Sequence, residues 1–128
     1  MIYDTNFLIA IQGRLQRFSR AEAIAWMKRE DHGAAYIPRT VEIEFLAGFA
    51  SDLAAAPHLR YFTVLPMSEP VLKEAVRVMR DLRGSGKGIG VADSIIAATA
   101  LLYDLPLVTD NTRHFKRVAD LDVRGYIG

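Results

Sequence analysis

A three-layer α/β/α sandwich around a short central parallel sheet of four to five strands is the fold class this 128-residue sequence predicts. Three observations lead there. Short apolar segments alternate with longer helix-compatible ones along the whole chain, and parallel strands require such long crossovers. The segment Val91 to Leu102 is apolar on nearly every face, as a helix buried in the domain would be. A content of 51% hydrophobic and 24% charged residues suits one compact domain over residues 1–128, large enough to close a core without staples.

The elements follow in order. Ile2 belongs to the end of a first strand, and Asp4 stands at its carboxyl end. Phe7, Leu8, Ile9 and Ile11 form a short apolar helix that Gly13 ends. Ser19 is placed to cap a second helix from Arg20 to Glu30, with Ala23, Ile24, Trp26 and Met27 on its apolar side. Ala34 to Ile37 follows Gly33 and stops at Pro38, marking a second strand. Pro38 suits the first turn of the next helix, which carries Val41 to Leu46 toward Gly48. A short alanine-rich helix starts after Ser51. Tyr61 to Leu65 alternates aromatic and β-branched residues up to Pro66, as a third strand does. Ser68 opens a long amphipathic helix bearing Val71, Leu72, Ala75, Val78, Met79 and Leu82 at helical spacing. Gly84 to Gly88 is a flexible loop, Leu105 to Thr109 a fourth strand, and Val123 to Ile127 a short fifth.

Composition limits the chemistry. Without cysteine, a disulfide framework and a thiolate metal site are both excluded, so any metal must be held by oxygen or imidazole. The first residues lack a basic region followed by an apolar run, and no run approaches the roughly 20 apolar residues of a membrane span, so a cytoplasmic location is expected. A formal net charge of +1 gives little global attraction for a polyanion, and nucleic-acid binding must rest on a local patch. Arg14, Arg17 and Arg20 recur at three-residue spacing as a candidate basic strip. The glycine loop fails as a phosphate-binding motif, because Asp81 and Gly88 stand where a glycine and a serine or threonine are needed. Lys87 remains a candidate phosphate contact.

In parallel sheets, ligands bind outside the carboxyl ends of the strands. Asp4 ends the first strand, Glu44 lies in the first turns after the second, and Asp110 with Asn111 follows the fourth. Asp93 opens the buried helix among apolar neighbours, where a carboxylate must be a cap, be protonated or meet a cation. Each acid also has a plain structural reading: Asp4 and Asp93 as helix caps, Glu44 as a solvated helix residue beside its competitor Glu42, Asp110 as a turn residue. Convergence gives them a joint reason. Magnesium takes oxygen ligands and keeps several waters, so a few carboxylates can hold it against a phosphate. No histidine nucleophile competes: His32 and His58 fall in surface turns, and His114 lies near the fourth strand's end.

These residues resemble a known family. Asp4-Thr5-Asn6, Glu44-Phe45 with Gly48, Asp93 with Ile96-Ala97-Ala98, and Leu107-Val108-Thr109 with Asn111 and Phe115 look like the four blocks of PIN-domain proteins, in order and over the whole chain. The length and lack of an added domain look most like the VapC toxins of toxin–antitoxin pairs. The resemblance implies a Mg2+- or Mn2+-dependent endoribonuclease acting on structured RNA, tRNA or rRNA, with Asp4, Glu44 and Asp93 as the metal-binding acids; Asp110 joins them as a fourth catalytic candidate. Thr5, Asn6, Thr109 and Asn111 would orient carboxylates and waters. Arg14, Lys87, Arg113 and His114 are candidates for RNA contact. A VapB-type antitoxin occupying a groove beside the site, and a homodimer, are also implied. One departure matters: the family often has an acid where Asn111 stands, so either the charge of Asp110 or the carbonyl of Asn111 completes the site. Rival readings are a weak or inactive PIN domain that binds RNA or protein, and a phosphoacceptor receiver domain. The latter expects paired acids at the first strand and a lysine after the last, and neither is present.

Overall fold

The computed structural model describes residues 1–127. Ile2–Tyr3 (β1) runs into a helix over Thr5–Ile11 (α1), then Arg20–Glu30 (α2), Tyr36–Pro38 (β2), Arg39–Ala47 (α3), Asp52–Leu59 (α4) and Thr63–Leu65 (β3). Glu69–Gly84 (α5), Val91–Leu102 (α6), Leu107–Val108 (β4), Thr112–Phe115 (α7) and Val123–Arg124 (β5) complete the chain. All strand pairs are parallel and the order is β3-β2-β1-β4-β5.

The chain therefore steps outward from β1 to β3, crosses back, and steps the other way to β4 and β5. Right-handed crossovers taken in opposite directions place their helices on opposite faces, giving three layers. The reversal falls between β1 and β4, where Ile2 pairs with Leu107 and Tyr3 with Val108. That crevice is where an open α/β sheet receives a ligand.

Helix starts follow the capping residues. Ser19 accepts from the Glu22 amide at 3.1 Å while Glu22 reaches back to the Ser19 amide at 3.3 Å, a full capping box. Ser51 and Ser68 cap α4 and α5 in the same way from one side. The core gathers around β1: Ile2, Tyr3, Phe7, Leu8, Ile11, Ile37, Val41, Leu107 and Val108 are fully buried. Tyr3, Phe7, Phe18, Trp26 and Tyr126 form an aromatic cluster with successive ring centroids 4.6 to 6.4 Å apart. Trp26 is thus a core residue, whereas Tyr61 is exposed with the Arg60 guanidinium over its ring.

Several local readings change. The strands are shorter than the apolar segments that contain them, because a ladder extends only as far as a neighbour does, and central β1 has two residues. Pro38 is the last residue of β2 and caps α3 with extended backbone (ψ 158°), rather than lying in the helix's first turn. His58 sits in α4 with its ring stacked on Phe49, not in a turn. The three-residue spacing of Arg14, Arg17 and Arg20 is not a helical repeat. No helix runs through Arg14 and Arg17, so their spacing lines up no face. Among the described residues, no helix is long and apolar enough to cross a membrane.

Candidate active site

Asp4 leaves β1 with its amide still on the ladder, donating to the Val108 carbonyl at 3.2 Å. Its side chain then serves α1 as the N-cap: Oδ1 accepts from the Phe7 amide at 3.2 Å. The other oxygen is fixed by Thr109, next after β4. Thr109 Oγ1 accepts from the Asn111 amide at 3.0 Å, so the hydroxyl's single proton is left for Asp4 Oδ2. Capping and site geometry are therefore one arrangement, not alternatives.

Asp4, Glu44, Asp93 and Asp110 line one cavity of about 180 Å³, together with Thr5, Asn6 and Asn111, over a floor that includes Ile96 and Phe115. Asp4, Glu44 and Asp110 each have a donor of their own. Thr5 Oγ1 donates to Glu44 Oε2 at 3.1 Å. Asn6 Nδ2 donates to both Asp110 oxygens at 3.3 Å, and the exposed Arg17 guanidinium bridges to the nearly buried Asp110 carboxylate. His114 Nε2 faces Asp93 Oδ2 at 3.1 Å, an ionic distance without the angle of a hydrogen bond. Glu42, the competitor of Glu44, pairs instead with Arg39 and does not reach the cavity.

The electrostatics single out Asp4. Burial pushes its carboxyl up to about 6, and the charges of Asp110 and Asp93 push the same way, while Thr109 and the Phe7 amide offset only part of this. Asp4 is 8% exposed and has no cation among its hydrogen-bond partners. The nearby Tyr126 hydroxyl is buried without a partner among the described residues, and its pKa is raised by burial first and then by Asp4 and Asp110.

The expected burial of Asp93 is corrected. Gly90 caps α6, Asp93 lies in the first turn, and its side chain is 41% exposed. The helix is buried only from Ser94 onward, so its start projects from the domain. Of the candidate RNA contacts, Lys87, Arg113 and His114 surround a second cavity of about 430 Å³, which Asn111 and Arg117 also line. Arg14 lies apart from them, on an apolar groove of about 260 Å³ that shares Thr5 and Glu44 with the acid cavity and includes Ile9, Phe45 and Phe49.

Three residues at or beside the site were missed in the sequence. Spacing groups Arg17 with its neighbours, and nothing local ties it to Asp110, 93 residues away. Arg117 does carry a signal, three residues after His114, to whose ring and carbonyl it donates. Tyr126 carries none.

A parallel sheet with carboxylates gathered at the switch point between β1 and β4 defines an α/β protein built around an acidic, oxygen-only site. The chain belongs to the PIN domain family, whose model matches residues 1–121. It is similar to "Ribonuclease VapC" of Rickettsia bellii, 29% identical over 133 aligned positions that cover 96% of this chain and 93% of the relative. Two solved structures share the fold. One is a Rickettsia felis VapBC2 complex bound to a DNA fragment from its promoter, with TM-score 0.80, 20% identity and 98% of each chain covered. The other is a toxin–antitoxin complex from Klebsiella pneumoniae, with TM-score 0.77, 23% identity, and 98% of this chain and 96% of that one covered.

Proposed function

We propose that this protein is a Mg2+- or Mn2+-dependent endoribonuclease, the toxin of a type II toxin–antitoxin pair, which hydrolyses structured RNA such as tRNA or rRNA. The observation that carries the reading is Asp4. A carboxylate nearly removed from water, crowded by Asp110 and Asp93 and without a cation among its partners, is an arrangement that a divalent ion relieves. The donor set suits a hard cation, since all of it is oxygen. Among the described residues, no three acidic or histidine side chains stand close enough together to cage an ion. Magnesium does not need such a cage, because it is commonly held by one or two carboxylates and keeps its remaining waters.

Asp4 and Asp93 would hold the ion, which lowers the pKa of a water and neutralises charge on the phosphate. The chain's own residues set the geometry. Thr109 and the Phe7 amide aim Asp4. Thr5 holds Glu44 on the cavity wall, from which a carboxylate can order a water. Asn6 and Arg17 take up the charge of Asp110, and Asn111 supplies a neutral oxygen on the same wall. That pairing of Asp110, with an amide at 111, favours a second reading: a weak or inactive PIN domain that binds RNA or protein.

The two solved structures described above are complexes, and an antitoxin segment is the proposed occupant of the groove of Ile9, Phe45 and Phe49 beside Glu44. A homodimer is also proposed. Leu72 on α5 and Val91 on α6, each more than half exposed, offer apolar surface for a second copy. The deciding experiment incubates wild-type protein, Asp4→Asn and Asp93→Asn with tRNA and rRNA, with and without Mg2+ or Mn2+. Cleavage only by wild type, and only with metal, is expected; equal activity in all samples would overturn the enzyme and leave the binding module.

A further inference from the structure

Lys87, Arg113 and Arg117 converge on the cavity of about 430 Å³, and among the described residues none of the three has an acidic partner. Three like charges around one concave surface repel each other, and an anion would relieve that. Arg117 is half-buried and fixed: its Nε donates to the His114 carbonyl at 3.1 Å and its Nη2 to His114 Nδ1. Nη1 stays uncommitted on a fork of fixed plane, the geometry that suits phosphate oxygens.

The cavity adjoins the acids. Asn111 lines both cavities, and His114 touches Arg117 on one side and Asp93 on the other. We infer that the cavity of Lys87, Asn111, Arg113, His114 and Arg117 is a phosphate-binding subsite, holding an RNA phosphate next to the one presented to Asp4 and Asp93. This rests on the nuclease reading above. RNA fits better than an acidic peptide, because the cavity adjoins the acids proposed to act on a phosphodiester and its described lining is three cations, an imidazole and an amide.

The test measures binding of a short labelled single-stranded RNA to the full chain in EDTA, across a salt series, so that cleavage plays no part. Lys87→Gln, Arg113→Gln and Arg117→Gln should each weaken binding and reduce the salt slope by about 0.7, the single-strand value per released counterion. Lys28→Gln, which removes an exposed cation remote from the cavity, should match wild type. Arg117→Lys, which keeps the charge but not the fork, should retain the wild-type slope. Unchanged slopes in all three glutamine variants would overturn the subsite. So would a slope lost equally in Arg117→Lys, which would place the effect in the His114 contact, or competition by polyglutamate as strong as by unlabelled RNA. An inactive wild type that still shows the slope losses would sink the nuclease and spare the subsite; active protein with unchanged slopes would do the reverse.

Discussion

Two buried aspartates stand at opposite ends of β1, and their surroundings differ in kind. At the amino end, Asp31 has a side chain only 4% exposed and accepts from the Tyr3 hydroxyl at 2.8 Å, the Gly33 amide at 3.2 Å and the Met1 amino group at 3.4 Å. Its charge is answered within the fold. At the carboxyl end, Asp4 has two donors but other carboxylates for neighbours. The first arrangement is complete as it stands, whereas at the second the Arg17 guanidinium is taken up by Asp110 and, among the described residues, no cation bonds to Asp4. Burial alone does not separate the two aspartates; the sign of what surrounds each does.

The largest expected effect breaks this contrast at Asp4. Asp4→Asn should lower metal-dependent RNA cleavage by about 1,000-fold or more, because the charge proposed to hold the metal disappears. Asp31→Asn should leave kcat within about twofold. Steady-state cleavage assays check both.

Next comes pH. The folded-state pKa of Asp4 is raised to about 6 from 3.8, so between about pH 4 and 6 the native state binds more protons than the unfolded one. This group's contribution to stability therefore falls as pH rises through that window, by about 3 kcal/mol in all. Denaturant midpoints should show the decline in wild type and in Asp31→Asn, and not in Asp4→Asn, which should be the more stable protein at neutral pH without metal.

At the other end of the strand, Asp31→Asn should destabilise by about 1–2 kcal/mol, since its donors lose an anionic acceptor. Thermal melts check this. The smallest effect sharpens the fourth corner of the site. Asn111→Asp adds a carboxylate to the cavity wall and should tighten Mn2+ binding by about tenfold or less, measured by calorimetry.

Much of the framework is readable residue by residue. Ser19, Ser51 and Ser68 each cap the helix expected of them, because capping is a contact made within three residues. Placing Asp4 and Asp110 at strand ends needs only the apolar segments before them, and the crevice follows from a parallel sheet. What is not readable depends on chain distance or on depth. The partnership of Arg17 with Asp110 exists only once β1 and β4 are side by side. The exposure of Asp93 contradicts its apolar neighbours, because a helix that is apolar all round need not be covered at its first turn. The choice of Glu44 over Glu42 rested on resemblance. In the fold, Thr5 on α1 holds the former and Arg39 on α3 the latter.

The brevity of β1 has a mechanical consequence. With only Ile2 and Tyr3 in the strand, Asp4 has no run of paired residues behind it to absorb an error in register. Side chains alternate between faces with a period of two, so one residue inserted after Tyr3 would turn the carboxylate away from Thr109, or else swing α1 round with it, because the cap from Asp4 to the Phe7 amide lies wholly beyond the insertion. The joint tolerates substitution far better than it tolerates a change of length.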